Sequence, residues 1–348
     1  MKLTDNDSIF LTGATGFIGS HVAEYLSGQG FHLVCGVREN SKTDFLKTLP
    51  VELKTADITE PDSLIQAMNG CSMVIHTAGK VTDWGKFQDF YEVNVVGTRN
   101  VLNACKANGI IQVITTGSVS CFGEENCLTL KDEQSPHNPR YPYFLEKIWP
   151  SGMNFYRISK SIAVNETEEF AFRNNMNITV LHPVWVYGER ESSSGFYEYM
   201  KFVRSGIPFG PGSRSNLFHV VYARDLALAY YQALLQAPSG FSDYIIGNKT
   251  VDKLENIFTL VCQEMGRRKP MNLPKFITWP VGFSAELFAS LLKLKKPPFL
   301  TRARVNMFYD SICYNTKKAE KELSFTCRYS LEEGIRNTVQ WYKDNRLI

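Results

Sequence analysis

The sequence lacks the residue clusters that mark disulfide-bonded, metal-binding and nucleic-acid-binding proteins. Its eight cysteines form no CxxC pair, and the six histidines do not group with them, so we expect reduced thiols and no metal site. The net charge is only +3, and the longest basic block, 293–296, is short, which argues against a nucleic-acid partner. No basic and apolar leader precedes the first predicted strand, so we expect a cytoplasmic protein.

A glycine-rich stretch near the N-terminus is the strongest local pattern that is present. Ser8–Thr12 is a short apolar run, Gly13, Gly16 and Gly19 follow at intervals of three, and apolar residues then recur at helical spacing. This order predicts a strand, a tight turn and a helix whose free N–H groups can bind a pyrophosphate. The spacing is GxxGxxG rather than GxGxxG, so a glycine turn that only packs the helix on the strand is the alternative.

Strand and helix patterns alternate after this stretch. We predict strands at 31–37, 51–55, 73–76 and 111–115 and helices at 60–69 and 87–108. Such alternation is typical of an α/β protein with a doubly wound parallel sheet, whose ligands lie at the carboxyl ends of the strands.

Two charged residues follow strands at the predicted cofactor edge. Arg38 stands after the second strand, where an NAD enzyme would usually carry an acid that binds the ribose 2′-hydroxyl. A guanidinium can instead pair with a 2′-phosphate, which favours NADP(H); the alternative is an ordinary surface charge. Asp57 is predicted to face the adenine; the alternative is a helix cap, for which Thr59 is better placed.

The predicted chemistry lies at the next strand end and on the helix that follows. Ser118 comes three residues after the strand at 111–115, and Tyr156 and Lys160 are four residues apart in a helix predicted over 155–173. A lysine close to a phenol lowers the pKa of the phenol and makes it usable as an acid or base.

The YxxxK spacing alone does not select this pair, because three other pairs share it. They are Tyr143/Lys147, Tyr197/Lys201 and Tyr314/Lys318. Trp149-Pro150-Ser151-Gly152 is predicted to stop a helix after the first pair, and the last two follow the parallel strands of this half. Only Tyr156 begins a long helix followed by a buried strand, predicted at 178–181.

Several segments together resemble the extended short-chain dehydrogenase/reductase superfamily. They are TGATGFIGSH, Asp57, HTAG at 76–79, YEVNVVGTRNVL at 91–102, Ser118, YRISK and HPVWVYG at 182–188. AGKVTDWG and PPFLTRARV look most like its 3β-hydroxysteroid dehydrogenase-like and dihydroflavonol-reductase-like branch. The resemblance covers nearly the whole chain and implies a Rossmann sheet with a smaller, mostly C-terminal substrate-binding cap.

The resemblance implies a role for each matching residue. Ser118 would hydrogen-bond the substrate oxygen, Tyr156 would donate or take its proton, and Lys160 would lower the pKa of Tyr156 and hold the nicotinamide ribose. The implied cofactor contacts are Gly13, Thr15, Gly16, Phe17, Ile18, Gly19, Arg38, Asp57, Ile58, Thr77, Ala78, Gly79, Thr116, Tyr156, Lys160, Pro183 and Val186. Two positions depart from common patterns, with His182 in place of an arginine and Phe122 in place of a tyrosine. Asn94 matches an asparagine of the family, and a buried asparagine that bridges strands explains it equally well.

The predicted domains interleave along the chain. Residues 1–187 and 213–250 form the NADP-binding domain, and residues 188–212 and 251–348 form the aromatic-rich cap and C-terminal segment. Sugar-nucleotide relatives place an arginine where this chain has Ser215, which counts against a nucleotide sugar, although Arg214 is one residue away. We therefore expect a hydrophobic, sterol- or flavonoid-like substrate whose hydroxyl or ketone group exchanges hydride with NADP(H). A nucleotide-sugar epimerase or dehydratase and a non-catalytic dinucleotide sensor are the alternatives.

The segment 277–296 has three interpretations. Its first sixteen residues are mostly apolar, too few to span a bilayer, and the segment ends in Lys293-Leu294-Lys295-Lys296. It can be an amphipathic helix in peripheral contact with a membrane, a helix that closes the substrate pocket, or a contact in a homodimer.

Overall fold

The computed structural model describes residues 7–123, 130–192 and 195–348. In chain order its strands are β1 Ser8–Thr12, β2 His32–Val37, β3 Glu52–Thr55, β4 Met73–His76, β5 Gln112–Thr116, β6 Asn177–Pro183, β7 Trp185–Tyr187, β8 Phe209–Pro211, β9 Leu217–Phe218, β10 Val220–Tyr222, β11 Phe241–Ile246, β12 Asp252–Lys253 and β13 Met271–Leu273. Its α-helices are α1 Phe17–Gly28, α2 Pro61–Ala67, α3 Phe87–Phe90, α4 Gly97–Ala107, α5 Gly152–Asn174, α6 Gly195–Arg204, α7 Ala223–Gln236, α8 Leu254–Met265, α9 Lys275–Leu291, α10 Arg302–Tyr309, α11 Lys317–Glu322 and α12 Leu331–Asp344.

Seven parallel strands form the central sheet, in the order β11-β6-β5-β4-β1-β2-β3. The order runs one way from β1 through β3 and the other way from β4 onwards, so the strand order reverses between β1 and β4. This is the doubly wound α/β sheet that the sequence predicts. The reversal point is where such sheets bind ligands.

Helices cover both faces of the sheet, which is why its strands read as apolar runs. Ile9 and Leu11 of β1 face one buried cluster, which includes residues of α1 and α7. Phe10, between them, faces a second cluster with residues of α2 and α4. The alternation follows from the two-residue period of a strand.

The helix predicted at 87–108 is interrupted. Between α3 and α4 the chain makes a π-helical turn, Tyr91–Val96. A π turn is wider than an α turn, and such turns are frequent at functional sites. The prediction located the element correctly and missed this change in its winding.

Helix α5 begins earlier than the sequence pattern predicts. Ser151 caps it by accepting a hydrogen bond from the Met153 amide at 3.3 Å, and the first helical residue is Gly152. The predicted start of this helix at residue 155 was therefore three residues late, because Ser151 after Pro150 acts as its N-cap. Tyr156 lies in the second turn of α5 rather than opening it.

The C-terminal helices share a core with the sheet. One buried apolar cluster joins Leu181 of β6, Phe196 of α6, Ile257 of α8 and Val339 of α12. It connects the predicted nucleotide domain with the predicted cap, and the domain boundaries themselves stay a prediction.

Six of the cysteines that the structure describes are buried, and Cys327 is half-buried. Cys127 lies outside the described residues. Within the described ranges, no helix combines the length and the apolar character that crossing a membrane requires.

Candidate active site

Helix α1 starts against the ends of β1 and β4, and glycine makes this contact possible. Gly13 has a φ of +73°, and a Cβ there would lie 2.5 Å from the Ala78 nitrogen. A Cβ on Gly19 would lie only 2.1 Å from the Gly13 carbonyl oxygen. Glycine at these two positions is therefore a steric requirement of the turn.

The N-terminus of α1 has the properties of an anion site. Gly16 is its N-cap, no side chain caps it, and its first turn carries no acidic residue. Its first N–H groups and the positive end of the helix dipole are thus available to bind a phosphate. Thr15 is exposed and Phe17 and Ile18 are half-buried at this end of the helix. The glycine cradle and the uncapped helix fit the pyrophosphate of a dinucleotide.

The end of β4 is held by a buried network beneath this turn. His76 lies 2.7 Å from the hydroxyl of Thr12 and 3.1 Å from that of Thr98. Burial, together with the charge of Lys160, lowers the pKa of His76 to about 3, so the ring is neutral at physiological pH. Thr77 donates its hydroxyl to the Thr12 carbonyl at 2.8 Å. The network fixes the strand end that leads into Ala78 and Gly79.

Asn94, in the π turn, links that strand end to α5. Its amide nitrogen donates to the Lys80 carbonyl at 3.1 Å and to the Ser159 hydroxyl at 2.9 Å, and its oxygen accepts from the Lys80 amide at 2.7 Å. These contacts agree with the bridging interpretation, except that the elements bridged are the loop after β4 and a helix rather than two strands.

The two charged candidates for the adenosine end lie past β2 and β3. Arg38 directly follows β2 and is exposed. Asp57 is half-buried, and its carboxylate accepts from the amide and hydroxyl of Thr59 at 2.9 Å and 2.8 Å. Neither Asp57 nor Thr59 caps α2, because its N-cap is Glu60. Ile58 lies beside Gly97 of α4, where a Cβ would approach it to 2.7 Å.

Ser118 lies just past β5, at the same edge of the sheet. Its hydroxyl is 2.8 Å from that of Ser120 and also accepts the Ser120 amide at 3.3 Å. Its backbone nitrogen lies 3.1 Å from Nδ1 of His182, which is fully buried. Side chain and backbone of Ser118 are thus both held by neighbouring polar groups.

Lys160 reaches from α5 to the end of β5. Its ammonium donates to the Thr116 carbonyl at 2.5 Å, two residues before Ser118. Burial lowers the pKa of Lys160 to about 8. Tyr156 is half-buried one helical turn earlier on α5, so the two side chains share a helix face.

The other pairs with the same spacing lie in different surroundings. Tyr143 is buried, Lys201 lies over the Tyr197 ring on α6, and Lys318 pairs with Asp243 at 3.1 Å. The Tyr156/Lys160 pair is tied to the β5 end by the hydrogen bond of Lys160 to Thr116.

Two further predicted cofactor residues lie near the neighbouring strand. Pro183 is buried at the end of β6, and Val186 is half-buried on β7, which pairs with β10. Thr116 is half-buried, and its hydroxyl lies 2.5 Å from that of Tyr230 on α7. Their predicted contact with a nicotinamide stays a prediction.

Sequence reasoning missed three residues that support this site, namely Ser120, His182 and Tyr230. Ser120 stands two residues from Ser118, and its small hydroxyl side chain was the available signal. In the sequence, His182 stands out only as a departure from a family pattern. Its contact with Ser118 spans 64 residues of sequence, and that of Tyr230 with Thr116 spans 114, so neither is visible as a local pattern.

Comparison with known proteins gives a consistent result. The sequence model of the NAD dependent epimerase/dehydratase family matches residues 9–247. Sterol-4-alpha-carboxylate 3-dehydrogenase, decarboxylating, of Saccharomyces cerevisiae is 27% identical over 96% of this chain and 97% of its own length. N-acetyl-alpha-D-glucosaminyl-diphospho-ditrans,octacis-undecaprenol 4-epimerase of Escherichia coli O157:H7 is 24% identical over 97% of this chain and 95% of its own. The crystal structure of the protein gox2253 superposes with a TM-score of 0.79 at 25% identity and covers 98% of this chain and 99% of that one.

Proposed function

The chain belongs to the NAD dependent epimerase/dehydratase family and is an NAD(P)-dependent enzyme, and from that premise we propose its reaction. It transfers hydride between NADP(H) and a hydroxyl or ketone group of a hydrophobic small molecule. Ser118, Tyr156 and Lys160 are its catalytic residues.

One observation carries the proposal. Lys160 donates to the Thr116 carbonyl at 2.5 Å, which brings the face of α5 that also bears Tyr156 to the strand end that leads into Ser118. A phenol, a hydroxyl and an ammonium at one edge of a parallel sheet suit proton transfer to or from a substrate oxygen.

The three side chains have different roles in the reaction. A bound nicotinamide would supply or accept the hydride at the substrate carbon. In the reducing direction Tyr156 donates its hydroxyl proton to the carbonyl oxygen, which becomes the alcohol. Ser118 donates a hydrogen bond to the same oxygen while negative charge develops on it. Charged Lys160 stabilises the phenolate that Tyr156 becomes.

We propose Arg38 as the residue that selects NADP(H). Its exposed guanidinium follows β2, at the strand end where a dinucleotide's ribose is bound in such sheets. Replacing Arg38 by alanine should lower the preference for NADPH over NADH in kcat/KM by about tenfold or more, because a bidentate contact to the 2′-phosphate is lost. The same change at exposed Arg173 serves as the control, and an unchanged preference in R38A would assign the discrimination elsewhere.

A hydrophobic ketone or alcohol is the favoured substrate class. Ser215 stands where a diphosphate-binding arginine would be expected in an enzyme of nucleotide sugars, and one relative is named for a sterol substrate. The second candidate is an epimerase, since another relative of similar identity is named as one.

The test compares two tyrosines with the same YxxxK spacing. Tyr156→Phe should lower turnover by about a thousandfold, because the proton donor is lost, while NADPH binding followed by fluorescence stays close to wild type. Tyr197→Phe on α6 is the matched control and should retain turnover. The assay follows NADPH oxidation with steroid, flavonoid, aldehyde and sugar-nucleotide substrates.

Two results would count against this function. Near wild-type activity in Y156F would remove Tyr156 from the mechanism. Tightly held NAD with interconversion of sugar nucleotides and no net oxidation of added NADPH would favour the epimerase.

A further inference from the structure

Helix α9 carries its apolar side chains outward and its charge inward. The residues of its buried face include Thr278, Gly282, Glu286 and Ala289. The apolar side chains exposed along it and just past its end are Phe276, Ile277, Val281, Phe288, Leu291 and Leu292. An ordinary surface helix has the opposite arrangement.

The inward face of α9 is fixed by specific contacts. Arg302, which is 1% exposed, donates to both carboxylate oxygens of Glu286, at 2.9 Å and 3.1 Å. A Cβ on Gly282 would lie 2.6 Å from the Val305 side chain, so α9 and α10 pack closely at that point. The helix therefore cannot rotate its apolar face inward without breaking a buried ion pair.

The exposed apolar surface continues onto the segment before α5. The rings of Trp279 and Phe283 contact Phe144, each with 5.6 Å between ring centroids. Phe144 is half exposed, and Ile148 is 83% exposed. Phe144 thus extends the apolar side chains of α9, and exposed Ile148 lies four residues further along the chain, which is more than isolated exposed side chains.

Positive charge borders this surface. Lys293, Lys295 and Lys296 are exposed just past the end of α9, and Lys147 is exposed beside Ile148. Glu286 is the only acidic residue between 275 and 296, and it is buried. An apolar surface with a basic border complements a bilayer that exposes anionic headgroups above its acyl chains.

We propose that the outward face of α9, with residues 144–148 and the lysines at 293–296, binds the surface of a bilayer containing anionic phospholipids. The apolar side chains enter the boundary between headgroups and acyl chains, and the lysines contact the headgroup phosphates. α9 has seventeen residues, so it lies in the plane of the surface. Binding needs neither cofactor nor substrate, so its test is independent of the proposed reaction.

The experiment is cosedimentation with vesicles of equimolar phosphatidylcholine and phosphatidylglycerol. Wild type should sediment with them and bind pure phosphatidylcholine vesicles much more weakly. Phe288→Glu should lower the partition coefficient by about tenfold, because a charge then enters the apolar boundary. Phe172→Glu is the matched control, since Phe172 is 70% exposed on α5 and Phe288 is 64% exposed.

A second variant tests the basic border. Replacing Lys293, Lys295 and Lys296 by glutamate should abolish the preference for anionic vesicles, whereas Lys106→Glu on α4 should not change it. Circular dichroism and a urea transition close to wild type verify that each variant folds.

Three results would overturn the proposal. The first is equal vesicle binding by wild type and F288E, and the second is no binding by wild type. The third is an oligomer, measured by light scattering, that F288E dissociates while vesicles bind no protein; the surface would then contact a second copy of the chain.

Discussion

Two buried cations lie in very different surroundings. Arg302, beneath α9, is paired with Glu286, lies over the Trp149 ring at 4.1 Å from its centroid and donates to the carbonyls of Phe144 and Trp149. Lys160, at the sheet edge, donates to one carbonyl, and no carboxylate that the structure describes forms an ion pair with it. The first site has a counter-ion and several acceptors, and the second has one carbonyl acceptor and no carboxylate partner among the residues that the structure describes.

The difference distinguishes a buried charge that stabilises the fold from one that is available for catalysis. The ion pair at Arg302 ties α9 and α10 to the segment that precedes α5, and there the charge is compensated. Burial of Lys160 without a carboxylate lowers its pKa to about 8. A buried ammonium without a carboxylate partner can lower the pKa of a nearby phenol strongly, because its charge is little neutralised by its surroundings.

Removing one member of the compensated pair should have the largest effect. Arg302→Met leaves Glu286 buried without a counter-ion, with only the backbone amide of residue 302 still donating to it, and should lower the free energy of unfolding by about 3–5 kcal/mol, measured by urea denaturation. The double variant with Glu286→Leu should recover most of this loss, because no uncompensated charge remains. A change below about 1 kcal/mol in R302M would mean that water reaches Glu286 and that the two buried cations do not differ as described.

Removing the uncompensated cation should have the opposite sign. Lys160→Met should raise the free energy of unfolding of the cofactor-free protein at pH 7 by about 2–3 kcal/mol, and it should abolish turnover.

The sign follows from the lowered pKa of Lys160. Between its folded pKa of about 8 and its usual value of 10.5, the unfolded chain holds more of this proton than the folded chain. The cost of burying the charge is therefore complete below pH 8 and fades as the pH rises towards 10.5. The increase in the free energy of unfolding caused by K160M should therefore shrink between pH 7 and pH 10. Lys106→Met on α4 should show no such trend. A loss of stability in K160M at pH 7 would show that the Thr116 hydrogen bond outweighs the cost of burial.

An exposed ion pair should have the smallest effect. Arg99 and Glu166 form a bidentate pair between α4 and α5, with shortest contact 2.8 Å, and their side chains are 43% and 36% exposed. Glu166→Gln should change the free energy of unfolding by less than about 1 kcal/mol, since water screens the pair. Thermal unfolding at low and high salt checks this. A loss of free energy of unfolding above about 1 kcal/mol in E166Q would show that the pair contributes as much as a buried ion pair.

Local patterns predicted the framework of the fold well. The glycine turn, the strands at 73–76 and 111–115 and the α/β alternation follow from residues that are neighbours in sequence. The start of α5 was missed because a proline is compatible with the end of one helix and with the residue before the N-cap of another.

Long-range pairing explains what the sequence could not predict. Helical periodicity shows that residues share a face but not which face is buried, and for α9 the answer depends on Arg302, sixteen residues from Glu286. His182 contacts Ser118 only because β6 lies beside β5. The placement of Ser118 and Lys160 at one strand end agrees with the pattern, whereas no sequence pattern indicated that Lys160 would lack an ion pair with any carboxylate in the described part of the chain.

The π turn at Tyr91–Val96 has a consequence for the length of the chain. It accommodates about one residue more than an α-helix would over the same turn. Deleting one residue there should restore α winding and leave the two flanks in nearly the same relative orientation, because the turn had absorbed the extra residue. Phe90 and Val101 would then keep their buried positions, whereas Asn94, inside the turn, would move relative to Lys80 and Ser159. We therefore expect a one-residue deletion in this turn to disturb the Asn94 contacts more than the packing of the flanking helices.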